Sequence, residues 1–285
     1  MIISNNYYLI GVIWFIASLM TSAANDVVSK YLGMRLSVFE VTMFRFLFST
    51  LTILPFIISR SFLSLKTSKI KLHIFRGLIL FLGNVCWTYG LVLVNVAVAT
   101  VVTFMIPVFS LILAIFFLEE KFIWQRWICT LVSFSGFLIV LDFNTYNFNY
   151  KIIVFILASL CFAFLDIMNK QLVLEESILN MIFYSATFTT LFSIPGSLYY
   201  WVTPSLYELW LLFLLGIGAN IILFFILKAF TLVDVTSLAP YRYIELIFSS
   251  LIAYMVFQEI PQLNVLFGII IIIPTTLFLV YSEIR

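Results

Sequence analysis

The chain has 285 residues, 64% of them hydrophobic and only 10% charged, with a mean hydropathy of +1.18. Soluble domains average about 45–50% apolar and about 25% charged residues, so this composition excludes a soluble globular protein and marks a polytopic membrane protein. A net charge of +2 gives no basic field for nucleic acid, and one histidine with three cysteines at no metal-like spacing leaves no His-based metal site or triad.

A membrane span needs about 20 mainly apolar residues. Ten are expected, in chain order at 7–29, 38–58, 72–94, 97–118, 123–141, 151–171, 180–201, 208–230, 235–257 and 263–281. No Lys or Arg precedes the first apolar run, as a signal peptide would require, so that segment is expected to remain as a span. It carries Asn25, Asp26 and Lys30. The second span carries Glu40 and, deeper, Arg45, for which Asp26 or Glu245 is the expected partner. His73 is expected in a polar loop before the third span, which holds Gly77, Gly83, Trp87, Tyr89 and Gly90. Cys86, Cys129 and Cys161 fall inside apolar runs and read as small buried hydrophobes. The polar stretch Asp142–Tyr150 is the natural midpoint.

The sixth span repeats the ionic pattern of the first. At an offset of 140 residues Phe15, Ala23, Asp26 and Lys30 coincide with Phe155, Ala163, Asp166 and Lys170. An Asp or Lys at the centre of a spanning helix costs about 2.5–3.5 kcal/mol, so a repeated Asp-x-x-x-Lys is informative where matching apolar letters are not. Each Asp could be satisfied by its own Lys one turn on. Phe48 and Pro55 match Phe188 and Pro195 at the same offset. At an offset of 139, Ser110 and Glu120 match Ser249 and Glu259. Residues 1–142 and 143–285 are therefore expected to be two five-helix repeats. Five is odd, so the second enters from the opposite face, and a binding site is expected in a central cavity between them.

The ninth span is the most polar at depth. Arg242 and Glu245, three residues apart, share one helix face and could neutralise each other. Pro240 removes a backbone donor just before them, and a kinked or unwound helix at this depth must face protein or water. Tyr241 and Tyr243 flank the arginine. With Trp87 and Tyr89 they are the candidate rings for a cage around a cation or a flat base. The candidate substrate-binding set is Arg242, Glu245, Asp26, Tyr241, Tyr243, Tyr89, Trp87, Arg45 and Asn25.

Ten loop cations, Lys66, Lys69 and Lys71 among them, fall on the face shared by both termini. Only Lys30, Arg35 and Lys151 fall on the other. This bias predicts that both termini are cytoplasmic. A channel would use polar spans as well, but a repeat with few charges favours alternating access. The oligomeric state is left open.

Several stretches carry a family likeness along essentially the whole chain. They are Ser22-Ala23-Ala24-Asn25-Asp26-Val27, Phe39-Glu40-Val41 with Phe44-Arg45-Phe46, Trp87-Thr88-Tyr89-Gly90-Leu91, Trp124-Gln125-Arg126-Trp127, Ala239-Pro240-Tyr241-Arg242-Tyr243 and Ile273-Pro274-Thr275-Thr276-Leu277-Phe278. With Glu120 and Glu259 closing spans four and nine, they resemble the EamA-type drug/metabolite transporter superfamily. Within it they resemble the S-adenosylmethionine uptake transporters of obligate intracellular bacteria. The resemblance implies an all-α membrane protein of ten helices in two inverted repeats around a central cavity, placed in a bacterial inner membrane. It implies a secondary transporter, not an enzyme, with no cofactor. The implied partners are S-adenosylmethionine, S-adenosylhomocysteine and the lipid bilayer. Exchange of one for the other, or proton coupling through an Asp or Glu, would both suit such a site. An ordinary amino acid is the alternative substrate.

Overall fold

The computed structural model describes residues 5–59, 65–93, 105–140, 150–258 and 263–284, and among these it contains helices and no strand. The first half supplies α1 (Asn5–Gly33), α2 (Val38–Ser59), α3 (Ile70–Leu93), α4 (Met105–Leu118) and α5 (Trp124–Val140). The second supplies α6 (Tyr150–Val173), α7 (Ile178–Tyr199) and α8 (Leu206–Leu232). A short α9 (Val235–Leu238), a 3-10 segment Ala239–Ile244, α10 (Glu245–Phe257) and α11 (Leu263–Ile284) complete it. Six helices, α1, α2, α3, α6, α7 and α8, are each long and apolar enough to cross a bilayer. The expected start of span four, residues 97–104, lies outside the described residues, as does Glu259.

Local chemistry sets the helix starts. Ser37 and Glu40 form a capping box at α2, the Glu40 N–H donating to Ser37 Oγ at 3.2 Å and the Ser37 N–H to Glu40 Oε2 at 3.1 Å. Ser177 caps α7, and Ser205 with Glu208 forms a second capping box at α8. The first turn of α9 is capped from the other half. Glu120 accepts the N–H groups of Val235 and Thr236, each at 3.0 Å.

Two sequence expectations change here. Residues 235–257 do not form one α-helix. Pro240 stands at the start of the 3-10 segment, where its missing donor is tolerated, and regular α-helix resumes only at Glu245. His73 is not in a loop. It occupies the first turn of α3 with no exposed surface, 3.9 Å from Glu176 and with its ring 4.7 Å from that of Tyr184.

The helix packing is the same when the halves are exchanged. α1 lies on α8 as α6 lies on α3, and α2 touches α8 as α7 touches α3. α10 touches α1 as α4 touches α6, while α2 meets α7 and α5 meets α11. The close approaches are made by glycine at matching places. A Cβ on Gly77 would lie 2.4 Å from Phe188 Cβ, and one on Gly216 would lie 2.7 Å from Phe48 Cβ. Glu119 and Gln258, 139 residues apart, are the two non-glycine residues with left-handed backbone among those described, at φ 53° and 55°. Both close a helix that the sequence pairs across the repeat.

Candidate functional site

A cavity of about 150 Å³ lies between the halves and takes wall residues from α1, α2, α3, α4, α6, α7, α8, the 3-10 segment and α10. Helix spacing delivers them. Ser22 and Asp26 stand four apart on α1, and Leu80, Asn84 and Trp87 follow a four-then-three spacing on α3. Phe162, Leu165, Asp166 and Asn169 form one stripe of α6. α8 contributes an apolar wall, Ala219, Ile222, Leu223 and Ile226.

The polar lining is rich in charge. Asp26, Asp166 and Glu245 face the guanidiniums of Arg45 and Arg242, so fully ionised carboxylates outnumber cations by one. Arg242 ion-pairs with Asp166 of α6 and not with Glu245 on its own helix face. Ser110 of α4 also reaches Asp166, at 3.5 Å, and the Arg242 guanidinium lies 5.4 Å from the centre of the buried Phe15 ring. Glu245 and Ser22 line the same cavity. Asp26 accepts the indole N–H of Trp87 at 2.8 Å, and the Trp87 ring meets Phe155 edge-on at 5.2 Å.

The expected Asp–Lys turn of the second half does not serve its own Asp. Lys170 donates to the carbonyls of Phe230 and Val233, both at 2.8 Å, and lies 4.0 Å from Asp234. It therefore anchors the end of α8 and leaves Asp166 to Arg242. Arg45 lies close enough to Asp26 for mutual attraction, but its Nε has no hydrogen-bond partner among the described residues.

Of the nine candidate residues, the cavity brings together Asp26, Arg45, Trp87, Arg242 and Glu245. The other four lie elsewhere. Tyr241 is buried in the apolar core, its hydroxyl 2.9 Å from that of Tyr8. Tyr243, with no exposed surface, donates to the Thr130 carbonyl at 3.1 Å. Both rings flank Arg242 in sequence, but the tight 3-10 turn sends them away from the arginine's cavity. Asn25 points at α8, donating to the Leu215 carbonyl at 3.4 Å and packing on Gly218. Tyr89 is 42% exposed and lines a separate apolar groove of about 550 Å³ with Phe39, Cys86 and Tyr200.

Sequence reasoning left Asn84, Asn169 and Ser185 out of the candidate set, and left out Asp166 as well, although it weighed that carboxylate beside Asp26. The signal was present for two of them, since Asn169 stands three residues after Asp166 and Ser185 occupies the repeat position of Arg45. Among the described residues no cluster of His, Cys, Asp and Glu could hold a metal ion.

The EamA-like transporter family matches residues 9–142 and, separately, 149–281. The S-adenosylmethionine uptake transporter of Rickettsia felis is 53% identical over 276 residues, 97% of this chain and 94% of that protein. Its counterpart in Rickettsia prowazekii is 52% identical over the same shares. A riboflavin transporter of Vibrio cholerae is 25% identical over 96% of this chain and 93% of its own length. One crystal structure superimposes with a TM-score of 0.74 over 96% of both chains at 16% identity, a likeness of fold alone.

Proposed function

The chain belongs to the EamA-like transporter family, and from that premise we propose that it imports S-adenosylmethionine across a bacterial inner membrane by alternating access. Residues 1–142 and 143–285 are then inverted five-span repeats, ten spans in all, with both termini cytoplasmic. The exchange symmetry of the packing supports this, as do the paired contacts Gly77–Phe188 and Gly216–Phe48 and the matching left-handed residues Glu119 and Gln258. The two separate family matches point the same way.

The observation that carries the substrate is the charge balance of the cavity. S-adenosylmethionine has a sulfonium, an ammonium and one carboxylate, so it is a net monocation. The cavity offers three carboxylates against two guanidiniums, the complementary excess. Arg242 is already held by Asp166. Arg45 is the guanidinium with an unpartnered Nε, and it is the receptor we assign to the substrate carboxylate. Asp26 and Glu245 face the two cationic centres, and the Trp87 ring, fixed by its bond to Asp26, gives the sulfonium a π face. A void of about 150 Å³ takes a ligand of benzene size. S-adenosylmethionine is far larger, so its entry requires the halves to separate, as alternating access provides. Exchange for S-adenosylhomocysteine is the coupling that fits best, because the product keeps the ammonium and carboxylate and loses only the sulfonium charge.

The test is uptake by a host that cannot import S-adenosylmethionine. Expression should confer saturable uptake inhibited by S-adenosylhomocysteine more strongly than by methionine or adenosine. Equal competition by methionine would mean that the adenosyl part is not read and would favour an amino-acid transporter.

A further inference from the structure

Asn169 belongs to the α6 stripe that lines the cavity, one turn beyond Asp166, and it is 6% exposed. Its Oδ1 is buried with no hydrogen-bond partner among the described residues. The other two buried asparagines near the site are engaged by the protein. Asn84 Nδ2 donates to the Leu80 carbonyl at 2.9 Å, and Asn25 Nδ2 to that of Leu215. A buried acceptor left unmade costs about 1–3 kcal/mol. Such an atom on a cavity wall is where a ligand donor is expected.

A primary amide presents an acceptor and a donor side by side. This is the complement of adenine's exocyclic amine and N1, a pairing of the same kind as that by which Asn and Gln read the amine and N7 of adenine in duplex DNA. Phe162, two turns earlier on the same stripe, supplies an aromatic wall to the cavity. The groups suited to the amino-acid end, Arg45, Asp26 and Glu245, come from α2, α1 and α10, so α6 is free to meet the base.

Resting on the substrate reading above, we infer that Asn169 is the specificity residue for the adenine edge. Its Oδ1 accepts from the exocyclic amine, and its Nδ2 donates to the neighbouring ring nitrogen. Inosine carries a carbonyl and a ring N–H at those two places, which opposes acceptor to acceptor and donor to donor.

The experiment is displacement of labelled S-adenosylmethionine from the purified protein by S-adenosylhomocysteine and S-inosylhomocysteine. The wild type should prefer the adenosyl compound by about 10-fold or more, the range that an unmade buried hydrogen bond implies. Asn169→Leu, close in volume, should bring the ratio near one by weakening the adenosyl compound alone. Asn169→Asp replaces the Nδ2 donor with a second acceptor, which repels the adenine ring nitrogen and suits the ring N–H of inosine, so it should abolish or reverse the preference. Retention of the wild-type ratio by Asn169→Leu overturns the assignment, as does an unchanged preference in Asn169→Asp or its absence in the wild type. Loss of the ratio in Asn84→Leu with Asn169→Leu unaffected also overturns it, and moves the reading to α3. A wild type that binds S-adenosylmethionine yet ignores the base edge refutes this inference alone. One that does not bind S-adenosylmethionine at all refutes the substrate reading with it.

Discussion

Two arginines in the cavity have opposite prospects. Arg242 is paired with Asp166. Removing one member of a buried pair strands the other and typically costs about 3–5 kcal/mol, whereas replacing both with apolar residues is often neutral. Arg242→Met should therefore lower the amount of protein in the membrane, and Arg242→Met with Asp166→Leu should restore it, as read by immunoblot of the membrane fraction. A double variant as scarce as the single one contradicts the pair. Arg45 should behave differently. Arg45→Lys keeps the charge but loses the planar fork, so uptake should fall by about 10-fold or more with abundance unchanged; normal uptake by this variant removes Arg45 as the carboxylate receptor. The sequence made Asp26, Asp166, Arg45 and Arg242 visible because buried charge is rare in so apolar a chain. It could not assign their partners, since Arg242 finds Asp166 from a helix 76 residues earlier and Lys170 turns to the carbonyls of α8. Neutral Asn169 was left out of the candidate set because an amide in a spanning helix stands out less than a charge.

At the scale of helices, the close approaches rest on glycine. A side chain at Gly77 would collide with Phe188, and one at Gly216 with Phe48 and with the backbone of Arg45 and Ser49. Overpacking of a fitted interface costs typically about 1–3 kcal/mol. Gly77→Leu and Gly216→Leu should each lower the melting temperature in detergent, and by similar amounts if the two interfaces are equivalent. A clear drop in one and none in the other would break the equivalence. The cap on α9 makes a second prediction: Glu120→Ala frees the N–H groups of Val235 and Thr236. Loss of such a cap costs about 0.5–2 kcal/mol, which should appear as a lower melting temperature, and an unchanged one would count against the cap. Long apolar helices were legible from hydropathy alone. The break at Ala239–Ile244 was foreshadowed by Pro240, but the direction in which a 3-10 turn carries Tyr241 and Tyr243 depends on backbone geometry that residue spacing does not encode. His73 was misplaced for a similar reason. Its polar neighbours suggested a loop, while Glu176 and Tyr184 from α6–α7 enclose it.

At the scale of the molecule, a handful of costly residues pointed to a duplication, and different residues carry the exchange symmetry of the packing, Gly77 with Gly216 and Glu119 with Gln258. In the proposed orientation Lys66 and Lys71 lie on the cytoplasmic side. Cysteines introduced at Lys66 or Lys71 should resist an impermeant thiol reagent in intact cells and react in inverted vesicles, and labelling from outside would reverse the orientation. The central claim is that the cavity moves S-adenosylmethionine, and the measurement that tests it most directly is counterflow into proteoliposomes holding the purified protein. Vesicles loaded with unlabelled S-adenosylmethionine or S-adenosylhomocysteine should accumulate external labelled S-adenosylmethionine transiently above its equilibrium level, while vesicles loaded with methionine or adenosine should not. Overshoot with methionine inside, or no overshoot with any of the four, would contradict the account.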